Sequence, residues 1–453
     1  MSPSASSGKA FYWAFGSVIA ALSIGILVLA LLVTTSGPRV RQVVVQNLSG
    51  DKVANTNQGL TVVFDRPIEG ADFENAIDIQ PEIEHTVSHR NQQLSISFDQ
   101  NLLSNTGYVL TVRPDLKDAL GGRMKREYNY EFTTAEPSFT YLERNYGSRT
   151  VDRIIQKSPL SQESHALFGS DKIKSFARNA NYLAVVLLRA DNTDEFRVID
   201  LGTREEKSVD IPYDVRVDNL KFSPAGNQFI FVTRGRLYRY DIDGEQLQPV
   251  DPSSEEGRLR SALYSPDGQA LLYQTIDGEY YLTGAAQTTE PSLLGKYAAS
   301  GGFDRTNTKL AFQPIGGDAI YDAQAGELLD LPDIRLGGRI STPTFLHDSD
   351  ELMYIREPLG AKPGGTLQVC TVDADGKVEK QAVDAQASAN FSAEPAVSYD
   401  DRYVLIEATF EPQGDDRYVG HPKPKDARLV LYDRSDGIVV DSDTRGVDPA
   451  WDR

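Results

Sequence analysis

One pattern recurs six times in the C-terminal two-thirds of the chain, and it restricts the fold more than any other feature. The clearest copies are residues 176–187 (FARNANYLAVVL), 222–233 (FSPAGNQFIFVT) and 264–275 (YSPDGQALLYQT); weaker ones begin at Phe303, Phe345 and Val397. The starting positions lie 46, 42, 39, 42 and 52 residues apart. In each copy an aromatic or aliphatic residue ends one strand, a Ser-Pro-x-Gly-type turn reverses the chain, and an apolar run forms the next strand. A third strand follows in most copies and ends in an acidic turn, as at 236–244, 368–376 and 428–437. These turns lack the Glu and Gly placement of an EF-hand loop: Pro252 stands where the Glu would be, counted from Asp241. They read as hairpin turns.

A repeat of about 40–50 residues is the length of one four-stranded propeller blade. Six copies make six blades, and residues 139–168 supply three strands of another. The chain closes on 446–451 (GVDPAW), whose Trp451 matches the aromatic that opens each copy. The expectation is therefore an all-β chain with a propeller over 138–453. Seven blades are expected, with six and eight as bounds, and the C-terminal strand completes the first blade. Such closure removes free sheet edges. The repeat resembles the TolB-type, WD-repeat-like propeller of bacterial periplasmic proteins, most strongly at 222–226 and 264–268. That resemblance implies a binding platform outside the cytoplasm. The module ahead of it does not look like that of TolB, so no TolB role is carried over.

Residues 40–135 hold strand-like runs between turn residues, among them 41–46, 59–64, 93–98, 107–112 and 127–133. Leu94, Ile96 and Phe98 alternate with Ser95 and Ser97, giving one buried and one wet face. About a hundred residues of this kind suit a β-sandwich. Val63-Phe-Asp-Arg-Pro67, Ile77-Asp-Ile-Gln-Pro81, the run 102–108, Lys117-Asp-Ala-Leu-Gly-Gly122 and Phe132-Thr-Thr134 resemble the bacterial Ig-like domain of surface-layer and other envelope proteins. The resemblance implies that Tyr108 is a buried aromatic opening a late strand, that Asp118 and Gly121 shape a turn, and that the module is a spacer or adhesion-like unit without an active site.

After a short tail (1–10), residues 11–33 carry no charge. As a helix they would extend about 34 Å, enough to cross a hydrocarbon core of about 30 Å. Phe11, Tyr12, Trp13 and Phe15 gather at one end, the headgroup preference of aromatic rings. A cleaved signal peptide has a shorter core and a small-x-small site; an uncleaved anchor over 11–34 is the favoured reading. Lys9 and the α-amine on one side nearly balance Arg39 and Arg41 on the other, so charge leaves orientation open. The domain types favour the C-terminus outside, on the extracytoplasmic side of the cytoplasmic membrane.

A net charge of −19 argues against nucleic acid, which requires clustered Lys and Arg. Cys370 is the sole cysteine, so no internal disulfide forms, and as a lone Cys in an apolar strand it is expected to be buried. His85, His89, His165, His347 and His421 fall into no metal-spacing motif, and neither a Gly-x-Ser-x-Gly elbow nor a phosphate-cradling Gly-rich loop occurs. No cofactor, metal or catalytic residue is assigned. The expected function is that of a membrane-anchored binding or scaffold protein of the bacterial envelope, its partner an envelope protein or cell-wall component. The alternative is a propeller enzyme or sensor ectodomain without a recognisable motif. Two insertions separate second and third strands of adjacent repeats, at 357–365 and 411–427. Lys362, Arg417, Tyr418, His421, Lys423 and Lys425 on them are the candidate partner-binding residues, since function gathers on loops displayed by a rigid scaffold.

Overall fold

The computed structural model describes residues 13, 15–26, 37–45, 48–49, 52–54, 59–70, 73–119, 121–144, 151–211, 217–250, 258–284, 291–313, 319–322, 327–329, 338–349, 351–358, 367–373, 376–383, 390–391, 394–409 and 427–452. The chain forms two compact units, Met1–Ala135 and Glu136–Arg453.

In the first unit residues 15–26 are helical. Among the described residues no helix is long and apolar enough to cross a membrane; residues 11, 12, 14 and 27–34 of the span expected over 11–34 lie outside the described residues. The rest is a β-sandwich. One sheet runs Val40–Val45, Gly59–Phe64, Gln93–Phe98 and His85–Arg90; the other runs Tyr128–Thr133, Gly107–Val112 and Ile77–Gln80. Leu60, Val62, Phe64, Leu94 and Ile96 from the first meet Ile77, Ile79, Tyr108, Leu110, Val112 and Phe132 from the second in one core. Alternation is the cause: in Gly107–Val112 the even-numbered residues are buried and the others face outward. Tyr108 is buried as the second residue of its strand, and its hydroxyl accepts the Leu103 N–H at 3.0 Å. Asp118 accepts the Gly122 N–H at 2.8 Å and the Arg66 guanidinium at 3.1 Å, closing a turn in which Gly121 takes φ +81°. A side chain at that angle would be strained.

The second unit is a β-propeller, built among the described residues from seven antiparallel sheets. The first blade orders Val447–Trp451, Phe139–Glu143, Asp152–Lys157 and Ser164–Ser170. The second orders Ile173–Arg178, Tyr182–Leu188, Asp194–Asp200 and Glu206–Val209. The third spans Val217 to Val250, the fourth Leu259 to Lys296, the fifth Ala299 to Leu329, the sixth Gly338 to Val383 and the seventh Asn390 to Arg445. In the sixth and seventh blades two short pieces replace the inner strand: Gly338–Ile340 with Thr344–Phe345, and Asn390–Phe391 with Ala396–Val397. Pro343 and Pro395 fall in the gaps, where a residue without an N–H cannot extend the ladder.

Packing explains why each second strand is a continuous apolar run. Leu183, Val185 and Leu187 point into the core shared with the first blade, while Ala184 and Val186 point into the core shared with the third. Phe229 and Phe231 face backward and Ile230 and Val232 forward in the next blade. The same division holds for Met353 and Ile355 against Leu352 and Tyr354, and for Val404 and Ile406 against Tyr403 and Leu405. Both faces of these second strands are therefore buried, and each fully buried aliphatic or aromatic residue adds about 1.5–3 kcal/mol. The last core, Phe139, Tyr141 and Trp451 with Tyr403, Leu405, Leu429 and Leu431, joins the seventh blade to the first. The outermost strands are polar, as in Gln246–Val250 and Val378–Val383, which keeps the sheet edges soluble.

Candidate partner-binding face

In an antiparallel meander the connections from second to third strand, and from each fourth strand to the next blade, leave at one end of the blades; the remaining turns leave at the other. The strands bracketing the two insertions are Leu352–Pro358 with Leu367–Val372, and Tyr403–Thr409 with Arg428–Asp433. Both insertions therefore leave from the same end of adjacent blades. Lys362, Arg417, Tyr418, His421, Lys423 and Lys425 themselves lie outside the described residues. The return from the larger insertion is fixed at Ala427, which is buried in the core of the first two blades and whose carbonyl accepts the Gly446 N–H.

This end of the ring is locked by side chains that reach from one blade to the backbone of the next. Asp152 accepts the Ile173 N–H at 2.9 Å, and Asp194 accepts the Val217 N–H at 2.6 Å. Gln274 donates to the Tyr297 carbonyl and Gln313 to the Ile340 carbonyl, at 3.5 and 3.4 Å. Glu407 accepts the Asp448 N–H at 2.9 Å, across the closure. The strongest knot is Lys174, whose ammonium meets Asp194 at 2.6 Å with both side chains 2% exposed, and also donates to the Val217 carbonyl; Arg144 donates to the Lys174 carbonyl at 2.9 Å. A buried charge is tolerable only when so paired.

Sequence reading had missed these residues, although a signal was there. Gln274, Gln313 and Glu407 each stand ten places after the residue that opens their copy, as the polar residue ending an apolar run.

The opposite end carries the Ser-Pro-x-Gly turns, and these also join blade to blade. Asn179 donates to the Gly226 carbonyl at 2.6 Å. Asp401 accepts the backbone N–H groups of His347 and Asp348 at 2.7 and 2.9 Å, and Arg434 donates to its carbonyl. Burial pushes the Asp401 carboxyl up to about 6, against the opposing pull of those two N–H groups and of Arg434. Burial also raises the Tyr141 and Tyr403 hydroxyls to about 12, so both stay neutral. Asp241 accepts the Gly244 N–H at 2.7 Å, and Asp433 accepts those of Ser435 and Asp436. The acidic turns are thus held by their own backbone.

Among the described residues no group of three or more His, Cys, Asp or Glu is placed to hold a metal ion. His85 and His89 instead face the carbonyls of Ile83 and Asn91 at 2.8 and 3.0 Å. Cys370 is buried in the core of the sixth blade, which raises its thiol.

Residues 34–134 match the Bacterial Ig-like domain family. The match covers the sandwich and supplies its family resemblance. Over 235 residues the chain is 24% identical to the protein named Probable dipeptidyl-aminopeptidase B of Aspergillus fumigatus, covering 48% of this chain. The match spans only 24% of that relative's length. Among solved structures, TolB from Acinetobacter baumannii is similar at 14% identity and a TM-score of 0.42, over 83% of each chain. Oligogalacturonate lyase from Vibrio parahaemolyticus is similar at 11% identity and a TM-score of 0.46, over 67% of this chain and 84% of its own.

Proposed function

We propose that the chain is a membrane-anchored binding or scaffold protein of the bacterial cell envelope, with its soluble units on the extracytoplasmic side. In this reading it performs no bond-making step. The apolar stretch 11–33 holds it to the cytoplasmic membrane, the Ig-like unit is a spacer, and the propeller displays a partner-binding rim. The observation that carries the reading is the placement of the two insertions. Both leave from one end of adjacent blades, on strands whose apolar residues are fully buried, so the loop bases are rigid while the loops are free to differ in sequence. The Ig-like match over 34–134 supports an envelope setting. The partner class is an envelope protein or a cell-wall component, recognised through Lys362, Arg417, Tyr418, His421, Lys423 and Lys425.

A photo-crosslinking residue at position 417, used in growing cells, tests this. One reproducible adduct is expected, lost when the partner is removed. Deleting 412–426 should abolish capture while leaving the melting transition in place. Unchanged capture by the deleted chain would contradict the reading.

A further inference from the structure

Basic charge is in the minority on this chain, and one gathering of it sits where the apolar stretch meets the sandwich. The backbone of Gly37 passes so close to the 123–124 peptide that a Cβ there would lie 1.8 Å from the Arg123 carbonyl oxygen. Only glycine allows that approach. It sets the run 123–126 (RMKR) beside residues 37–41, the first described residues after the apolar stretch. Met124 is buried in the sandwich core and fastens the run there. Arg123 pairs with Lys117 in an antiparallel bridge, and Lys117 pairs in turn with Glu69. The Arg39 N–H donates to Asp65 at 2.9 Å, close to the Arg66–Asp118 pair.

Arg39, Arg41, Lys117, Arg123, Lys125 and Arg126 are all exposed. Among the described residues none of the six is drawn into an ion pair. The exposed carboxylates of the same segments are Asp65, Glu69, Asp115 and Glu127, four against six, and Asp65 is already engaged by Arg66 and the Arg39 N–H. In the ring, by contrast, Lys157, Lys174 and Arg178 are each committed to a carboxylate.

We propose that these six side chains form a collar that docks the sandwich onto anionic phospholipid headgroups at the root of the apolar stretch. The proposal rests on the anchored reading given above. From Val33 to Arg39 the chain can extend at most about 20 Å, which keeps the collar near any bilayer that holds residues 11–33. Lys and Arg near an anionic surface each shift partitioning by about five-fold, and the attraction fades over a Debye length of about 10 Å at 0.1 M salt. Guanidinium groups also match phosphate oxygens in a bidentate fashion.

The test uses the full chain with Ala119→Cys, an exposed position beside the collar, labelled with a fluorophore; Cys370 is buried and leaves position 119 as the accessible thiol. The protein is reconstituted into phosphatidylcholine vesicles with or without phosphatidylglycerol, each containing headgroup-nitroxide lipid. Quenching should be several-fold stronger with phosphatidylglycerol. It should fall to the neutral-lipid level in Arg123→Glu/Lys125→Glu/Arg126→Glu, and in the unaltered collar as salt is raised. Added inorganic phosphate should not reverse it; reversal would assign a free-phosphate site and overturn lipid docking. Flotation with equal quenching on both lipids overturns this inference alone. Failure to float at high salt overturns the anchored reading, and this inference with it.

Discussion

Phe139 meets Trp451 edge-on, with ring centroids 5.6 Å apart and planes at 69°, as register partners on the first and last strands of the propeller. The Trp451 indole also donates to the Ala396 carbonyl of the seventh blade at 3.0 Å. One side chain therefore completes a sheet and joins that sheet to its neighbour. Beyond it, Asp452 accepts from Ser138 at 2.5 Å, Thr140 at 2.7 Å and Gln156 at 2.8 Å, and pairs with Arg178 of the second blade.

Trp451→Ala should lower the stability of the ring by about 3–5 kcal/mol, the range for deleting a large buried aromatic. Trp451→Phe keeps most of the packing and loses the hydrogen bond, for about 1 kcal/mol. Denaturant melts read by tyrosine fluorescence check both. Equal melting of all three proteins would show that the last strand does not close the ring.

Lys174→Met leaves Asp194 buried without its cation, and the expected loss is about 3–5 kcal/mol. Lys174→Met with Asp194→Leu removes both charges and should recover part of it. A double-mutant cycle measures the coupling. A double variant less stable than the sum of the singles would contradict the pairing.

Asp401 makes the ring respond to pH. Its carboxyl is raised from 3.8 to about 6, so the folded state holds this proton more tightly than the unfolded chain does. The resulting stabilisation is fully present below about pH 4 and is lost as pH rises through about 6, with a total on the order of 3 kcal/mol. Asp401→Asn, at a φ of +56° that Asn tolerates, should flatten this part of the profile between pH 4 and 7. Melting temperatures at several pH values read the effect. A variant with the same pH slope as the parent would remove Asp401 as its source.

If the 11–33 stretch anchors the chain with both units outside, protease added to intact spheroplasts should degrade the propeller epitopes while a cytoplasmic control survives. Deleting residues 1–34 should release the protein from the membrane fraction. Protection of the propeller in intact cells would reverse the orientation.

The ring was legible because its signal repeats. A turn such as Ser265-Pro-Asp-Gly268 followed by the run 270–275 gives strand, reversal and strand in a dozen residues, and six copies at blade spacing leave few architectures. Trp451 could be placed because it stands alone at the position that opens each copy. The buried pins were harder to see. Asp152 and Asp194 are spaced like surface residues, and only the neighbouring blade makes them acceptors for the Ile173 and Val217 N–H groups. The basic collar was hidden for a similar reason: Gly37 and Arg123 are far apart in sequence, and only the packing of the sandwich joins them. The breaks at Pro343 and Pro395 were readable from proline chemistry, but weak copies blurred where those inner strands ran.

Hydrogen–deuterium exchange of the terminal strand tests ring closure most directly. The amides of residues 447, 448, 450 and 451 (Pro449 has none) should be protected as strongly as those of 139–143 and lose protection together with them in rising denaturant. Rapid exchange of 447–451 while the strands of the second to seventh blades stay protected would show an open stack, and the rigid platform would lose its basis.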